Sequence, residues 1–586
     1  VTAVLGIAGY CHDSAAALLV DGQLIAACEE ERLSRVKHHA GLPVRAFRAC
    51  LDQAGLDIAG VDAVAFYEDP IARLARQLWS GLPGLPATHD SAYLRHDSTR
   101  AEREIRERLG YEGRVHFVDH HVAHAASSYH CSGFDEAALL VVDAVGEWAT
   151  SSQGRAEAGR LELTERDVFP DSLGMFYSAI TAYLGFDVND GEAKVMGLAP
   201  YGAPSLVERL RCVIDVDAAG RVRLDMDFFA FLDSDEMCSP RLPELLGQPP
   251  RARGSDIASF HCDVARSAQA ILEDCLLRKV RHLHDLVPAD DLCIAGGVAL
   301  NCVASGRIAR EGPFRRLFVQ PAANDAGAAI GAAACAHLEV SGRPVRMGRM
   351  RHAYLGPAFG PEEVRQVLAA SAMIARDFDG ELPLLREVAD RLAAGQVVGW
   401  FQGRMEFGPR ALGARSILAD PRDPGMRARL NRLIKQREDF RPFAPAVLEE
   451  EAAAHFELDH PSPFMLETCR VTSPIALPAV THVDGSARVQ TVSAADSPLF
   501  HGLIREFQRL TGCPVLLNTS FNGRDEPIVC TPADAVLCFV RTGLDCLVLE
   551  RSLLDGRDVP AEWRRWVAEA VEAPRAHAGG SVYALF

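Results

Sequence analysis

An apolar strand that runs into a polar, acid-bearing turn, and does so again far along the chain, is the feature that most constrains the fold. Val1 to Gly22 reads as a hairpin: a strand ends near Gly9, Cys11-His12-Asp13-Ser14 makes a polar turn, and Ala15 to Val20 returns to Asp21-Gly22. Leu24 to Cys28 continues as a third strand, and Glu29 to Arg35 opens a charged segment. The second start is Ala138 to Val142, which ends on Asp143 and a turn with Gly146. The restart points to an internal duplication in an α/β chain.

Three short antiparallel strands followed by helix is also how one half of the actin- and sugar-kinase-like ATPase fold begins, and that fold is itself duplicated. A chain of 586 residues is too long for one hydrophobic core, so roughly two to four domains are expected. Leu338 to Pro357 is basic, rich in Gly and Pro, and poorly periodic. It places residues 341–357 as a linker between domains at 1–340 and 358–586. Leu292 to Ala295 reads as a strand entering Gly296-Gly297, a junction that exposes backbone N–H groups at a helix start. Beyond the linker, Glu362 to Ala370 and Leu384 to Ala394 read as helices, with Pro383 suited to a first turn. Val397 to Phe401 and Val515 to Leu517 read as strands, the latter running into Asn518-Thr519-Ser520-Phe521-Asn522-Gly523.

A formal net charge of −18 argues against nucleic acid as a partner, while leaving room for a local basic pocket that holds a small anion. Sixteen scattered cysteines with no C-x-x-C pair read as reduced, buried thiols. The first residues lack the pattern of a signal peptide, and no apolar run is long enough for a bilayer. The expectation is a soluble cytoplasmic protein with no membrane partner.

Two constellations carry chemistry. In Asp119-His120-His121-Val122-Ala123-His124, the i, i+4 histidines share one helix face and suit a metal. A helix start whose histidines cap and pack is the other reading. Asp143 at a strand end and Asp325 in Pro321-Ala322-Ala323-Asn324-Asp325-Ala326-Gly327 complete a two-His, two-Asp set. Such a set suits Fe(II), Mn(II) or a similar divalent ion better than structural zinc. The second constellation is basic: Arg410 and Arg415 in Gly408 to Ser416, then Lys435, Arg437, Arg441 and Arg488. Arginines in Gly- and Pro-constrained loops suit phosphate clamping, the alternative being surface charge.

The ordered motifs HDSAAALLVDG, EEERLSRVKHH, HHVAH, VVDAVGE, GGVALN, PAANDAG, FGPRALGARSI, RPFAP, DGSARVQTV and NTSFN closely resemble the nodulation-factor and antibiotic O-carbamoyltransferases over nearly the whole chain. The resemblance implies a first domain with the actin-like ATPase fold, similar to the tRNA-threonylcarbamoylation ATPase. It implies a second, threonylcarbamoyl-AMP synthase-like (YrdC-like) α/β domain. The second domain would make carbamoyl-adenylate from carbamoyl phosphate and ATP with Mg2+. The first would pass the carbamoyl to a hydroxyl of a small-molecule acceptor, beside a divalent metal usually taken to be iron.

By that resemblance His120, His124, Asp143 and Asp325 match the metal positions, and Gly174, Gly297 and Asn301 match adenylate positions. Tyr10, Ser14 and Lys37 match the acceptor end, with His12 beside them. Arg410, Arg441, Arg488 and Asn518 match the carbamoyl phosphate and ATP pocket, with Lys435 and Ser520 nearby. Neutral His12 is a candidate base for the hydroxyl, although a structural turn histidine reads almost as well. Lys435 would bridge carbamoyl phosphate and the ATP α-phosphate. Rival readings are a tRNA threonylcarbamoylation protein, a hydrogenase-maturation carbamoyl enzyme, or a nucleotide-binding protein without catalysis. Asp69 to Arg108 is placed at the acceptor pocket, with helical packing as the plainer reading.

Overall fold

β1 (Ala3–Ala8, AVLGIA) and β2 (Ala15–Val20, AAALLV) are buried along nearly their whole length, as small and branched residues covered on both faces must be. The computed structural model describes residues 1–80, 97–232 and 234–571. With β3 (Gln23–Glu29), β4 (Ala63–Phe66) and β5 (Val115–Phe117), these strands form a sheet of order β3-β2-β1-β4-β5. The first three pair antiparallel, and β4 and β5 add in parallel.

The arrangement then repeats. β6 (Glu136–Val142), β7 (Ala149–Glu157) and β8 (Arg160–Val168) are antiparallel. After a small ribbon of β9 (Ile214–Val216) and β10 (Val222–Leu224), β11 (Asp291–Ala295) and β12 (Arg316–Val319) join β6 in parallel. The order β8-β7-β6-β11-β12 matches that of the first sheet strand for strand. The restart at Ala138 is therefore a duplicated sheet.

Helices His120–Ser132 and Asp325–Ser341 approach at backbone distance because their facing residues are Ala and Gly. A Cβ on Gly331 would lie 1.7 Å from Ala123 O, and one on Gly6 of β1 would lie 1.9 Å from Ala329 O. Alanine loses no side-chain entropy on burial and favours helix, so this packing forms at low entropic cost. Gly331→Ala must push these helices apart, and is expected to destabilise the protein by about 1–3 kcal/mol or more, read as a lowered Tm. An unchanged Tm would contradict the close approach.

Val1–Glu30 and His38–Met350 form one compact unit; Glu31–Lys37 with the described part of Arg351–Ala578 form a second. Within the stretch read as a linker, Arg346 N–H donates to Gly22 O (2.8 Å) and Met350 N–H to Cys131 O (2.7 Å), so these residues are pinned to the first unit. Glu31–Lys37 joins the second unit through its arginines. Arg32 Nη2 donates to Gly408 O (2.9 Å), and Arg35 Nη1 donates to Ile528 O (2.6 Å).

The second unit is built on an eight-stranded mixed sheet. Its strands are β13 (Ala375–Asp377), β14 (Val398–Phe401), β15 (Arg415–Ala419), β16 (Ala444–Leu448), β19 (Gln490–Val492), β20 (Val515–Ser520), β21 (Cys546–Leu549) and β22 (Ser552–Asp555). They run in the order β13-β22-β21-β14-β15-β20-β16-β19, and a ribbon of β17 (Thr468–Arg470) and β18 (Ser486–Arg488) stands apart. Helices Glu381–Ala393 and Pro498–Thr511 contribute Leu385, Leu392, Leu503 and Phe507 to the core around Trp400. The Trp400 indole N–H donates to Gly413 O (3.0 Å), which satisfies it in that core.

Two local expectations change. The strand expected at Val515 to Leu517 continues through Asn518 to Ser520. The helix expected straight after Gly296-Gly297 is preceded by a 3-10 turn, Gly297–Leu300, and begins at Cys302 with Asn301 as its cap. The sixteen cysteines form no disulfide. Among the described residues no helix is long and apolar enough to cross a membrane.

Candidate functional site

Asp119 starts the helix that carries both histidines, its carboxylate accepting from Val122 N–H (3.0 Å). The i, i+4 spacing then brings His120 Nε2 and His124 Nε2 to 3.1 Å. Asp143, just past β6, turns Oδ2 toward them at 3.3 and 3.2 Å. Its Oδ1 is held by Ala144 N–H (2.8 Å) and Gly297 N–H (3.3 Å). Asp325, the first residue of its helix, turns Oδ1 toward the same pair at 3.7 and 3.5 Å, while Tyr67 O–H donates to its Oδ2 (3.3 Å). One ligand atom from each of the four lies within 4.8 Å of the others, and all four residues are buried.

The donors fit a divalent ion. Two imidazole nitrogens and two carboxylates, each carboxylate fixed through its outer oxygen, suit iron, manganese or a similar cation. Neither His120 nor His124 has a hydrogen-bond partner at Nδ1, so packing orients the rings. The Tyr67 ring lies 5.1 Å from that of His120, and a Cβ on Gly146 would lie 3.0 Å from the His120 ring, so the turn packs closely against it. Glu147 anchors the helix start by accepting from His120 N–H (2.9 Å), and it also accepts from Asp69 N–H (2.8 Å). His121 faces away and pairs with Ser152 Oγ (2.7 Å); burial and then the charge of His120 hold its pKa well below the ordinary value.

Burial opposes charging His120, yet Asp143 and Asp325 outweigh it and push its pKa up to about 10 from an ordinary 6.5. A folded pKa above the unfolded value gives stability that is complete below pH 6.5 and lost as pH rises through about 10. The Tm advantage of metal-free wild type over His120→Gln is therefore expected to shrink across that window. A difference that stays flat with pH would contradict the coupling.

Tyr10, His12 and Ser14, which sequence matched to the acceptor end, lie in or beside a strained turn. Tyr10 and Asp13 both have φ of 66°, a region side chains rarely adopt. The Arg100 guanidinium sits 4.2 Å from the centroid of the Tyr10 ring, and burial and then Glu104 raise the phenol's pKa. Ser14 spends its hydroxyl on Gly41 O (2.6 Å). Asp13 is a hub: Oδ2 meets His12 Nδ1 (2.8 Å) and Asn324 Nδ2 (2.8 Å), and Oδ1 meets His38 Nδ1 (3.0 Å). Burial disfavours a charged His12, but Cys11 and Asp13 outweigh it and raise its pKa well above the ordinary value. The contact with Asp13 fixes the ring of His12, the residue expected from sequence as a candidate base. Lys37 is half-buried in the segment grouped with the second unit. Of Asp69 to Arg108, residues 81–96 lie outside the described residues, and the rest includes helices Pro70–Trp79 and Arg100–Glu104.

Of the residues matched to adenylate, Gly174 and Gly297 adjoin Asp143. A Cβ on Gly174 would lie 2.7 Å from Asp143 O, so only glycine lets its helix approach the strand end. The Gly297 N–H is given to Asp143. Asn301 Oδ1 caps Ala304 N–H (3.1 Å), and its amide exchanges two hydrogen bonds with Gln269 (2.9 and 3.1 Å). The donors that a Gly-Gly junction was expected to offer a phosphate are therefore engaged at Gly297 and Asn301.

In the second unit Lys435 is 5% exposed. Its Nζ lies 2.6 Å from Ser520 O, 3.2 Å from Ser520 Oγ, 3.0 Å from Asn522 O and 2.8 Å from Asn522 Oδ1. Burial, followed by the charges of Arg437 and Arg441, holds its pKa well below the ordinary value. Burial, then Arg441 and Arg488, does the same to Arg437. A buried lysine beside half-buried arginines is what an anion pocket requires. Arg410 is half-buried on a loop fixed by Glu406, whose Oε1 accepts from the N–H groups of Leu412 (2.8 Å), Ala414 (2.7 Å) and Arg415 (3.1 Å). Asn518 Nδ2 donates to Ala411 O (3.2 Å) and Gln490 Oε1 (2.8 Å). Arg415, read with Arg410 as a phosphate arginine, is fully buried and donates to the carbonyls of Gln402 (2.9 Å) and Gly403 (3.1 Å). It is a structural arginine.

Family models give this geometry its context. The Carbamoyltransferase N-terminus model matches residues 3–335, and the Carbamoyltransferase C-terminus model matches residues 389–555. The chain belongs to the carbamoyltransferase family. This carbamoyltransferase is 43% identical to an uncharacterized protein of Synechocystis sp., over 94% of this chain and 96% of that one. It is 40% identical to the nodulation protein NolNO of Sinorhizobium fredii, over 95% of this chain and 81% of that one. It is also 40% identical to the 3'-hydroxymethylcephem-O-carbamoyltransferase of Amycolatopsis lactamdurans, over 44% of this chain and 47% of that one. Family and relatives make the protein a transferase enzyme of the nodulation and antibiotic carbamoyltransferase group.

Proposed function

We propose that this carbamoyltransferase is an ATP-dependent O-carbamoyltransferase. Its second unit makes carbamoyl-adenylate from carbamoyl phosphate and ATP, with inorganic phosphate released from the first and pyrophosphate from the second, and its first unit passes the carbamoyl to a hydroxyl of a small-molecule natural product. The observation that carries the reading is the convergence of His120, His124, Asp143 and Asp325 within 4.8 Å. A divalent cation held there, iron or manganese, would supply Lewis-acid stabilisation to the departing phosphate. The doubled order of three antiparallel and two parallel strands supports an actin-like ATPase fold for residues 1–340. The resemblance of the motifs supports a YrdC-like domain over residues 358–586, joined through residues 341–357.

In the transfer, the bond from the carbamoyl carbon to the AMP phosphate oxygen breaks, a bond to the acceptor oxygen forms, and the hydroxyl proton passes to the released AMP phosphate. Tyr10, Ser14 and Lys37 would shape the acceptor end, with His12 beside them. Gly174, Gly297 and Asn301 would hold the adenylate, the two glycines beside Asp143. In the second unit Arg410, Arg441 and Arg488 would neutralise phosphate oxygens, with Asn518 and Ser520 as neutral partners. Lys435 would bring two anionic substrates together, and Mg2+ would accompany ATP. A cytoplasmic location suits sixteen cysteines that are mostly buried and form no disulfide.

The test offers carbonyl-labelled carbamoyl phosphate, with and without ATP, to a panel of sugar, aminoglycoside and cephem alcohols. Label is expected in a hydroxyl acceptor when ATP is present, with AMP formed in equal amount. Transfer that proceeds without ATP would sink the adenylate route.

A further inference from the structure

We infer that Cys11, His12 and Asp325 form a second divalent-cation site, for a borderline-soft ion such as Zn2+, sharing the Asp325 carboxylate with the four-donor cluster. One ligand atom from each of the three lies within 4.8 Å of the others. The proposal deepens the function above and rests on its cation reading of the cluster through that shared carboxylate.

The chemistry of the donors selects the ion. A thiolate, an imidazole and a carboxylate are the mixed S, N, O set that zinc accepts, and three protein ligands leave a position open. Thiolate is a poor ligand for Mg2+ or Ca2+, which take oxygen. Cys11 and His12 are only partly covered, whereas His120, His124, Asp143 and Asp325 are buried. The open position therefore belongs on the Cys11–His12 side.

The surroundings hold His12 as a ligand is held. Metal-bound histidines commonly give their second ring nitrogen to a carboxylate, which fixes tautomer and ring plane. His12 Nδ1 meets Asp13 Oδ2 at 2.8 Å. Asp13 is itself fixed by Asn324 Nδ2 (2.8 Å) and His38 Nδ1 (3.0 Å), and Asn324 is the residue before the shared Asp325. The same three consecutive residues, Cys11, His12 and Asp13, also resemble a nucleophile, base and orienting acid. Asp325 favours the cation, because a second carboxylate beside a thiolate nucleophile adds repulsion that a bound ion removes. Two cations bridged by one carboxylate typically stand roughly 3.5–4 Å apart and divide leaving group and attacking group between them.

Cobalt(II) is the probe, since a cysteine ligand gives it a thiolate-to-metal charge-transfer band in the near ultraviolet. Metal-free wild type titrated with Co2+ is expected to take two equivalents per chain and to develop that band. Cys11→Ser should lose the band and keep one equivalent. His120→Ala/His124→Ala should keep the band and lose the other equivalent. Asp143→Asn provides the same reading if the double variant does not fold. A wild type that takes one equivalent without the band overturns the second site and leaves the four-donor reading standing. Binding of no cobalt overturns both, and a band that survives Cys11→Ser overturns the assignment of Cys11.

Discussion

His120→Ala is expected to separate the two half-reactions, lowering carbamoyl transfer by about 10²–10³-fold while sparing carbamoyl-phosphate-dependent pyrophosphate release. The expectation follows from how the four donors are supported. Asp143 and Asp325 each spend one oxygen on protein hydrogen bonds and turn the other to the histidines. Removing His120 leaves Asp143, Asp325 and His124 with uncompensated charge in a buried place, so the variant should also bind divalent cations far more weakly. Nothing in the second unit's cation cluster depends on His120, so adenylation should continue. Equal loss of both half-reactions would mean that the cluster does not serve transfer alone.

The reciprocal prediction has a similar size. Lys435→Ala is expected to reduce carbamoyl-phosphate-dependent pyrophosphate release by about 10²–10³-fold, with Lys435→Arg failing to restore it. The ammonium is a compact charge placed among four oxygen acceptors of Ser520 and Asn522, at 2.6 to 3.2 Å. A planar guanidinium on a longer stem does not fit that arrangement. Burial beside Arg437 and Arg441 also disfavours the charged form of Lys435, and a bound polyanion would reverse that. The variant's transfer step can be assayed by supplying pre-formed carbamoyl-adenylate, which should bypass the defect. Normal pyrophosphate release in Lys435→Ala would remove this residue from adenylation.

The parts of the site that sequence made legible are those set by local rules. Asp119 capping a helix with histidines four apart needs only helix geometry, and Asp143 needs only a strand end followed by a turn. The duplication was legible because each half begins with the same apolar strand and polar turn. What stayed hidden depends on distant partners. Tyr67 and Asp325 are separated by 258 positions, and nothing near Tyr67 marks it as that carboxylate's support. Glu147 stood within a quoted motif, yet a buried acid that holds two backbone N–H groups looks in sequence like any surface glutamate. Arg415 and Arg410 share one loop, and only burial separates the carbonyl-bound one from its neighbour. Likewise no shift of composition announces that Glu31–Lys37 joins the second unit, because Arg32 and Arg35 do this through carbonyls far along the chain.

The central claim is that the chain activates a carbamoyl group as an adenylate before transferring it. Pyrophosphate release from ATP, measured on wild type with and without carbamoyl phosphate, tests this most directly. Release that requires carbamoyl phosphate is the predicted result. Release that is absent, or indifferent to carbamoyl phosphate, would contradict the adenylate and leave the cation cluster of the second unit without its assigned chemistry.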